Sequence, residues 1–193
     1  PAPDPWHKTM KTVTEFRHRE AMIRLAIEGN EFLEFSDFEN RRPQPTYTAD
    51  TLALLKKEDP DQELFFIMGG DSLFSIEKWV RPEDIFANAT ILASKRADET
   101  EGSSSICRPD CLYIDLDNNG VNDFDEAGSL QDEFELQVEY LKRKYDARIF
   151  DLRIPNIDIS SSDIIKKIKE GKSVRYFLPD NVIEYIIENG LYR

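Results

Sequence analysis

With 193 residues, 40% hydrophobic and 11% aromatic content, the chain can bury a core of its own, and a single domain is the expectation. A net charge of −13 argues against a nucleic-acid polymer as partner. No apolar run is long enough for a bilayer span and no signal pattern opens the chain, so a soluble cytoplasmic protein without membrane partners is expected.

In chain order, Arg17 to Glu28 places Ala21, Met22, Leu25 and Ala26 at helical spacing and stops at Gly29-Asn30. Thr48 to Lys57 reads as a second helix, with Thr48 placed to cap it. Leu64-Phe65-Phe66-Ile67-Met68 is a continuous apolar run ending at Gly69-Gly70, the pattern of a buried parallel strand that feeds a loop. Ile91 to Ala93 is a further strand, Gln131 to Tyr145 a helix and Arg148 to Leu152 a strand, and helices follow Ser160 and Pro179. This alternation predicts an α/β, doubly wound parallel sheet, whose ligands sit at the carboxyl ends of its strands.

The acidity is local. Residues 97–139 carry thirteen acids against Arg108 alone, whereas the remainder holds 25 acids and 24 bases. Residues 97–133 are therefore read as an acidic insertion in one domain spanning 1–193. Cys107 and Cys111 within it suggest neither a disulfide framework nor a zinc site. Inside the insertion, residues 115–126 satisfy the spacing of a calcium loop, with oxygen ligands from Asp115, Asp117, Asn119, the Val121 carbonyl, Asp123 and Glu126. Asn122 stands where an apolar residue usually ties such a loop to its partner, and Cys111 to Ile114 before it looks like a strand. A solvated acidic turn is the competing reading.

Ser160-Ser161-Ser162 opens a helix, and hydroxyls with free backbone N–H groups at the positive end of the helix dipole suit an anion. Ser160 with Asp163 is equally an ordinary capping pair.

Several segments together resemble, in order, the bacterial nicotinate-nucleotide adenylyltransferases. Pro5-Trp6-His7-Lys8 is similar to the family's Pro-His-Lys loop, with Trp6 in place of a proline, and Arg17 to Met22 follows the family's next helix. Tyr47-Thr48-Ala49-Asp50-Thr51-Leu52 matches its Tyr-Thr-x-Asp-Thr-Leu, and Gly69-Gly70-Asp71-Ser72-Leu73 its Gly-x-Asp-Ser-Leu, with Trp79 beyond. Ser94-Lys95-Arg96 resembles a strand end that carries a phosphate-side arginine. Ile159 to Ser162, Ser173 to Pro179 and Tyr185 to Tyr192 resemble the C-terminal signature.

The resemblance implies transfer of AMP from ATP to nicotinate mononucleotide, with magnesium. It assigns Tyr47, Thr48 and Trp79 to the nicotinate, Lys8 and Arg96 to phosphates, and Gly69, Asp71, Ser160, Ser161 and Ser162 to ATP. A lysine is chemically suited to phosphate oxygens, and a glycine lets backbone approach a flat base. Two departures stand out. Ile165 occupies the place of a family arginine, leaving Lys166 or Lys167 to supply charge. The family's Gly-x-Phe-Asp-Pro-x-His-x-Gly-His segment does not occur in these residues, whose only histidines are His7 and His18. The expectation is a nucleotidyltransferase fold lacking its first strand and helix, with no catalytic histidine and little activity alone. A relative using nicotinamide mononucleotide, and a non-catalytic nucleotide- or calcium-binding relative, are the alternatives. Oligomeric state leaves no trace in the sequence.

Overall fold

Three short strands form a parallel sheet in the computed structural model, which describes residues 14–43, 45–94, 130–152, 154 and 159–193. The described chain falls into two compact units, residues 47–156 and residues 1–46 with 157–193.

The first of these contains helix α2 (Thr48–Glu58), strand β1 (Phe65–Gly69), helix α3 (Gly70–Ser75), a 3-10 turn (Ile76–Lys78), helix α4 (Pro82–Asn88), strand β2 (Thr90–Ser94), helix α5 (Leu130–Tyr145) and strand β3 (Ile149–Asp151). The sheet runs β1-β2-β3, with Gly69 beside Ser94 and Ala93 beside Asp151 at the carboxyl ends. Each parallel step is bridged by helix, as a parallel crossover requires. The strands and long helices fall where apolar patterning places them, within a residue or two at each end. The short helices between Gly70 and Asn88 carry too few turns for a period to emerge.

The strand pleat separates two faces. Met68, Ile91, Ala93 and Ile149 are buried with Leu73, Ile76, Ile85 and Leu141 in one core. The opposite face carries Ile67, Leu92 and Phe150 in one lateral row, and Ile67 and Phe150 are 65% and 61% exposed. The apolar run at Leu64–Met68 is therefore not a strand buried on both sides, since Phe65 is exposed as well. Only alternate residues of β1 point to the core.

The other unit holds α1 (Phe16–Ile27), α6 (Ser161–Lys169) and α7 (Asp180–Glu188). Gly29, at φ +79°, stops α1 in the left-handed conformation that glycine adopts without cost. From α7, the Asn181 amide donates to the Leu25 carbonyl at 2.8 Å and so caps the end of α1. His18 Nδ1 lies 2.9 Å from the Tyr185 hydroxyl, joining the same two helices.

Candidate active site

At the carboxyl end of β1 the chain turns directly into α3, with Gly69 extended (φ −76°, ψ 161°) and Gly70 already helical. The two glycines are required to different degrees. A Cβ on Gly69 would stand 2.6 Å from the Asp71 carboxylate oxygen, which folds back over the turn. On Gly70 it would meet the Phe134 ring and the Ser94 carbonyl at 3.7 Å, ordinary contact. The Asp71 side chain is exposed, and among the described residues its carboxylate has no hydrogen-bond or ion-pair partner. An acceptor so placed beside bare backbone can receive N–H or O–H donors from a ligand. Beneath the turn, the buried Gln137 of α5 donates to the Leu73 carbonyl at 3.4 Å and anchors α3.

Trp79 ends the 3-10 turn half-buried, its ring edge-on to Phe66 at 6.3 Å between centroids. Helix α3 ends at Ser75 and gives way to 3-10 geometry at Ile76 before Trp79. Two residues before it, the Glu77 carboxylate accepts from Lys144 Nζ at 2.6 Å, from the Tyr145 hydroxyl at 2.9 Å and from the Tyr140 hydroxyl at 3.3 Å. The hydrogen bonds that Lys144 donates to Glu77 and to the Tyr140 hydroxyl raise its pKa. Burial, then the bond to Glu77, raises that of the Tyr145 phenol, which stacks on Phe86. Two residues after Trp79, Arg81 pairs with Asp50 in the first turn of α2. That bond and the carboxylate charge push the guanidinium pKa up.

Tyr47 is the N-cap of α2, with no side-chain capping bond, and Thr48 is already the first helical residue. The expected Thr48 cap is not formed. Instead, Thr51 donates from its backbone N–H at 3.1 Å and its hydroxyl at 3.3 Å to the Tyr47 carbonyl. Tyr47 and Thr48 stay partly exposed.

In the other unit, Ser160 caps α6. Its hydroxyl oxygen accepts the Asp163 N–H at 3.0 Å and donates to the Asp163 carboxylate at 2.6 Å. The capping pair is thus formed, and Ser160 is fully engaged in it. Ser161 and Ser162 are exposed. A groove of about 400 Å³ runs along one face of α6, lined by Ser160, Asp163, Ile164, Lys166, Lys167 and Phe177 among others. Lys166 and Lys167 face it and Ile165 does not.

Lys8, Arg96, the loop 115–126 with Asp115, Asp117, Asn119, Val121, Asp123 and Glu126, and both cysteines lie outside the described residues. Sequence reasoning missed the supports of Trp79, because Glu77 meets Lys144 and Arg81 meets Asp50 across 67 and 31 positions. No local pattern links such partners.

A model of cytidylyltransferase-like proteins matches residues 1–167. A protein of Lachnoclostridium phytofermentans named "Probable nicotinate-nucleotide adenylyltransferase" is 39% identical over the whole of this chain and 81% of its own length. This chain belongs to the nicotinate-nucleotide adenylyltransferase family. A family member of the same name from Carboxydothermus hydrogenoformans is 34% identical, again over the whole chain and 81% of its own length. The fold matches that of Plasmodium falciparum nicotinic acid mononucleotide adenylyltransferase complexed with NaAD, at a TM-score of 0.60 and 20% identity, covering 96% of this chain and 78% of that one. Among the described residues no helix is long and apolar enough to cross a membrane.

Proposed function

We propose that the protein transfers the adenylyl group of ATP to nicotinate mononucleotide in the cytoplasm, as a step of NAD synthesis. An oxygen of the mononucleotide phosphate attacks the α-phosphorus of ATP, the bond to the β-phosphate oxygen breaks, and deamido-NAD and pyrophosphate leave. The chemistry needs no covalent intermediate, so positioning and charge stabilisation carry the rate.

The observation that carries this reading is the Gly69–Asp71 turn. It lies at the carboxyl end of a parallel strand, where open α/β sheets bind nucleotides. It also offers a carboxylate unpartnered among the described residues, folded over a glycine whose Cβ would displace it. Asp71 takes the adenosine side and Trp79 stacks on the nicotinate ring, with Tyr47 and Thr48 holding its carboxylate. Ser161 and Ser162 offer N–H and hydroxyl donors to the ATP phosphates, while Ser160 holds their helix start in shape. Lys8 and Arg96 are proposed at the phosphates by family position.

The family resemblance also implies magnesium. Among the described residues no group of three His, Cys, Asp or Glu side chains could hold a metal ion, so they do not fit a protein-built cage and no step above depends on one. Calcium at 115–126 remains a proposal from the spacing alone.

Incubation with ATP and nicotinate mononucleotide, followed by mass spectrometry and ³¹P NMR, tests the reading. Deamido-NAD and pyrophosphate are expected in equal amounts, formed slowly by residues 1–193 alone, which carry no Gly-x-Phe-Asp-Pro-x-His-x-Gly-His segment. Saturable binding of both nucleotides without product would overturn it in favour of a non-catalytic relative.

A further inference from the structure

The segment that carries Trp79 is fastened on both sides by charged side chains. At position 77 a carboxylate reaches Lys144 and Tyr145 of α5, and at position 81 a guanidinium reaches Asp50 of α2. The second contact joins the Trp79 segment to the helix whose first turn contains Thr48 and follows Tyr47.

Arg81 adopts a left-handed backbone, φ 53° and ψ 62°, immediately before Pro82. That conformation is disfavoured for a residue with a Cβ, and glycine, asparagine or aspartate would occupy it more easily. Proline further restricts the residue before it. An arginine here needs a reason, and its side chain supplies one through Asp50 and, at 3.6 Å, Asp84. The Arg81 and Asp50 side chains are 47% and 30% exposed, and ion pairs this open to water contribute little to stability. A strained backbone kept for a weakly stabilising contact points to geometry as what the contact secures.

We propose that Arg81 and Asp50 form a positioning latch that fixes the Trp79 ring relative to the Tyr47–Thr48 turn, and so sets the width of the slot that admits the nicotinate ring of the mononucleotide. This rests on the assignment of Tyr47, Thr48 and Trp79 to that ring. Neither latch residue touches the reacting atoms. Its signature is therefore selective, weakening the mononucleotide and sparing ATP.

The test is calorimetric titration of the full chain with nicotinate mononucleotide and, separately, with ATP. Arg81→Gln and Asp50→Asn are each expected to weaken the mononucleotide about tenfold, as small misplacements in a binding site do, with ATP affinity held within about twofold. The exchange Asp50→Arg with Arg81→Asp should recover most of the loss, because aspartate accepts the left-handed backbone. Arg81→Gly removes the charge and relieves the backbone, so it should melt no lower than wild type yet bind the mononucleotide as poorly as Arg81→Gln. Equal weakening of both nucleotides, or a failed exchange, would overturn the latch. Unchanged mononucleotide affinity in these variants, with Trp79→Ala weakening it, would overturn the latch alone. Unchanged affinity in Trp79→Ala would remove the assignment of the ring as well.

Discussion

The Trp79 segment and the Ser160 helix start both carry family motifs, yet they are held in place in opposite ways. Ser160 is held by its neighbour Asp163, through a cap complete within four residues. Trp79 depends on Phe66, Lys144 and Asp50, which come from a strand and two helices distant in sequence. A locally held site can be read from a short motif and damaged only locally. A site held by remote partners is open to damage from residues that never meet the ligand.

The largest effect at the remotely held site is expected from Trp79→Ala. Loss of a stacking ring should weaken nicotinate mononucleotide by about 1–3 kcal/mol, measured by titration with ATP as the control. Next, Asp71→Ala should weaken ATP by about 1.5–3 kcal/mol, the usual range for a hydrogen bond to a charged group. Gly69→Ala should follow it closely, because the new Cβ displaces the same carboxylate. A Gly69→Ala variant with full ATP affinity would show that Asp71 does not act from its present position.

Smaller effects separate the two kinds of support. Glu77→Gln removes the charge from three donors on α5 and should cost about 1–2 kcal/mol in chemical denaturation. Ser160→Ala should cost about 1 kcal/mol through the lost cap, with little further effect on ATP once folding is allowed for. Gly70→Ala should be neutral or stabilising by up to about 1 kcal/mol, because alanine loses less backbone freedom in a helix than glycine and its Cβ meets only ordinary contacts. If Gly70→Ala proved worse than Gly69→Ala, the account of the turn would be reversed.

What was legible in the sequence follows the same division. Strands β1 to β3 and helices α1, α2, α5, α6 and α7 were visible because apolar spacing and stop residues such as Gly29 act over a few neighbours. The Ser160–Asp163 cap was visible for that reason. The side of Phe65 and Ile67 was not, because a continuous apolar run does not reveal which face the rest of the chain covers. Thr48 has a capping residue's chemistry, but whether the helix begins at it or after it depends on one backbone angle at Tyr47. Arg81 gave no sign of its left-handed backbone, and nothing near Asp50 in the chain points to a partner 31 positions on.

Offering the protein ATP with nicotinate mononucleotide or nicotinamide mononucleotide, and measuring kcat/KM for each, separates an acid-selective transferase from a relative that uses the amide. Slow formation of deamido-NAD with equimolar pyrophosphate is expected, with a preference for the nicotinate substrate of about tenfold or more, the order a lost charged hydrogen bond brings. Equal use of the two substrates, or preference for the amide, would contradict the assignment of Tyr47, Thr48 and Trp79 to a nicotinate carboxylate and ring.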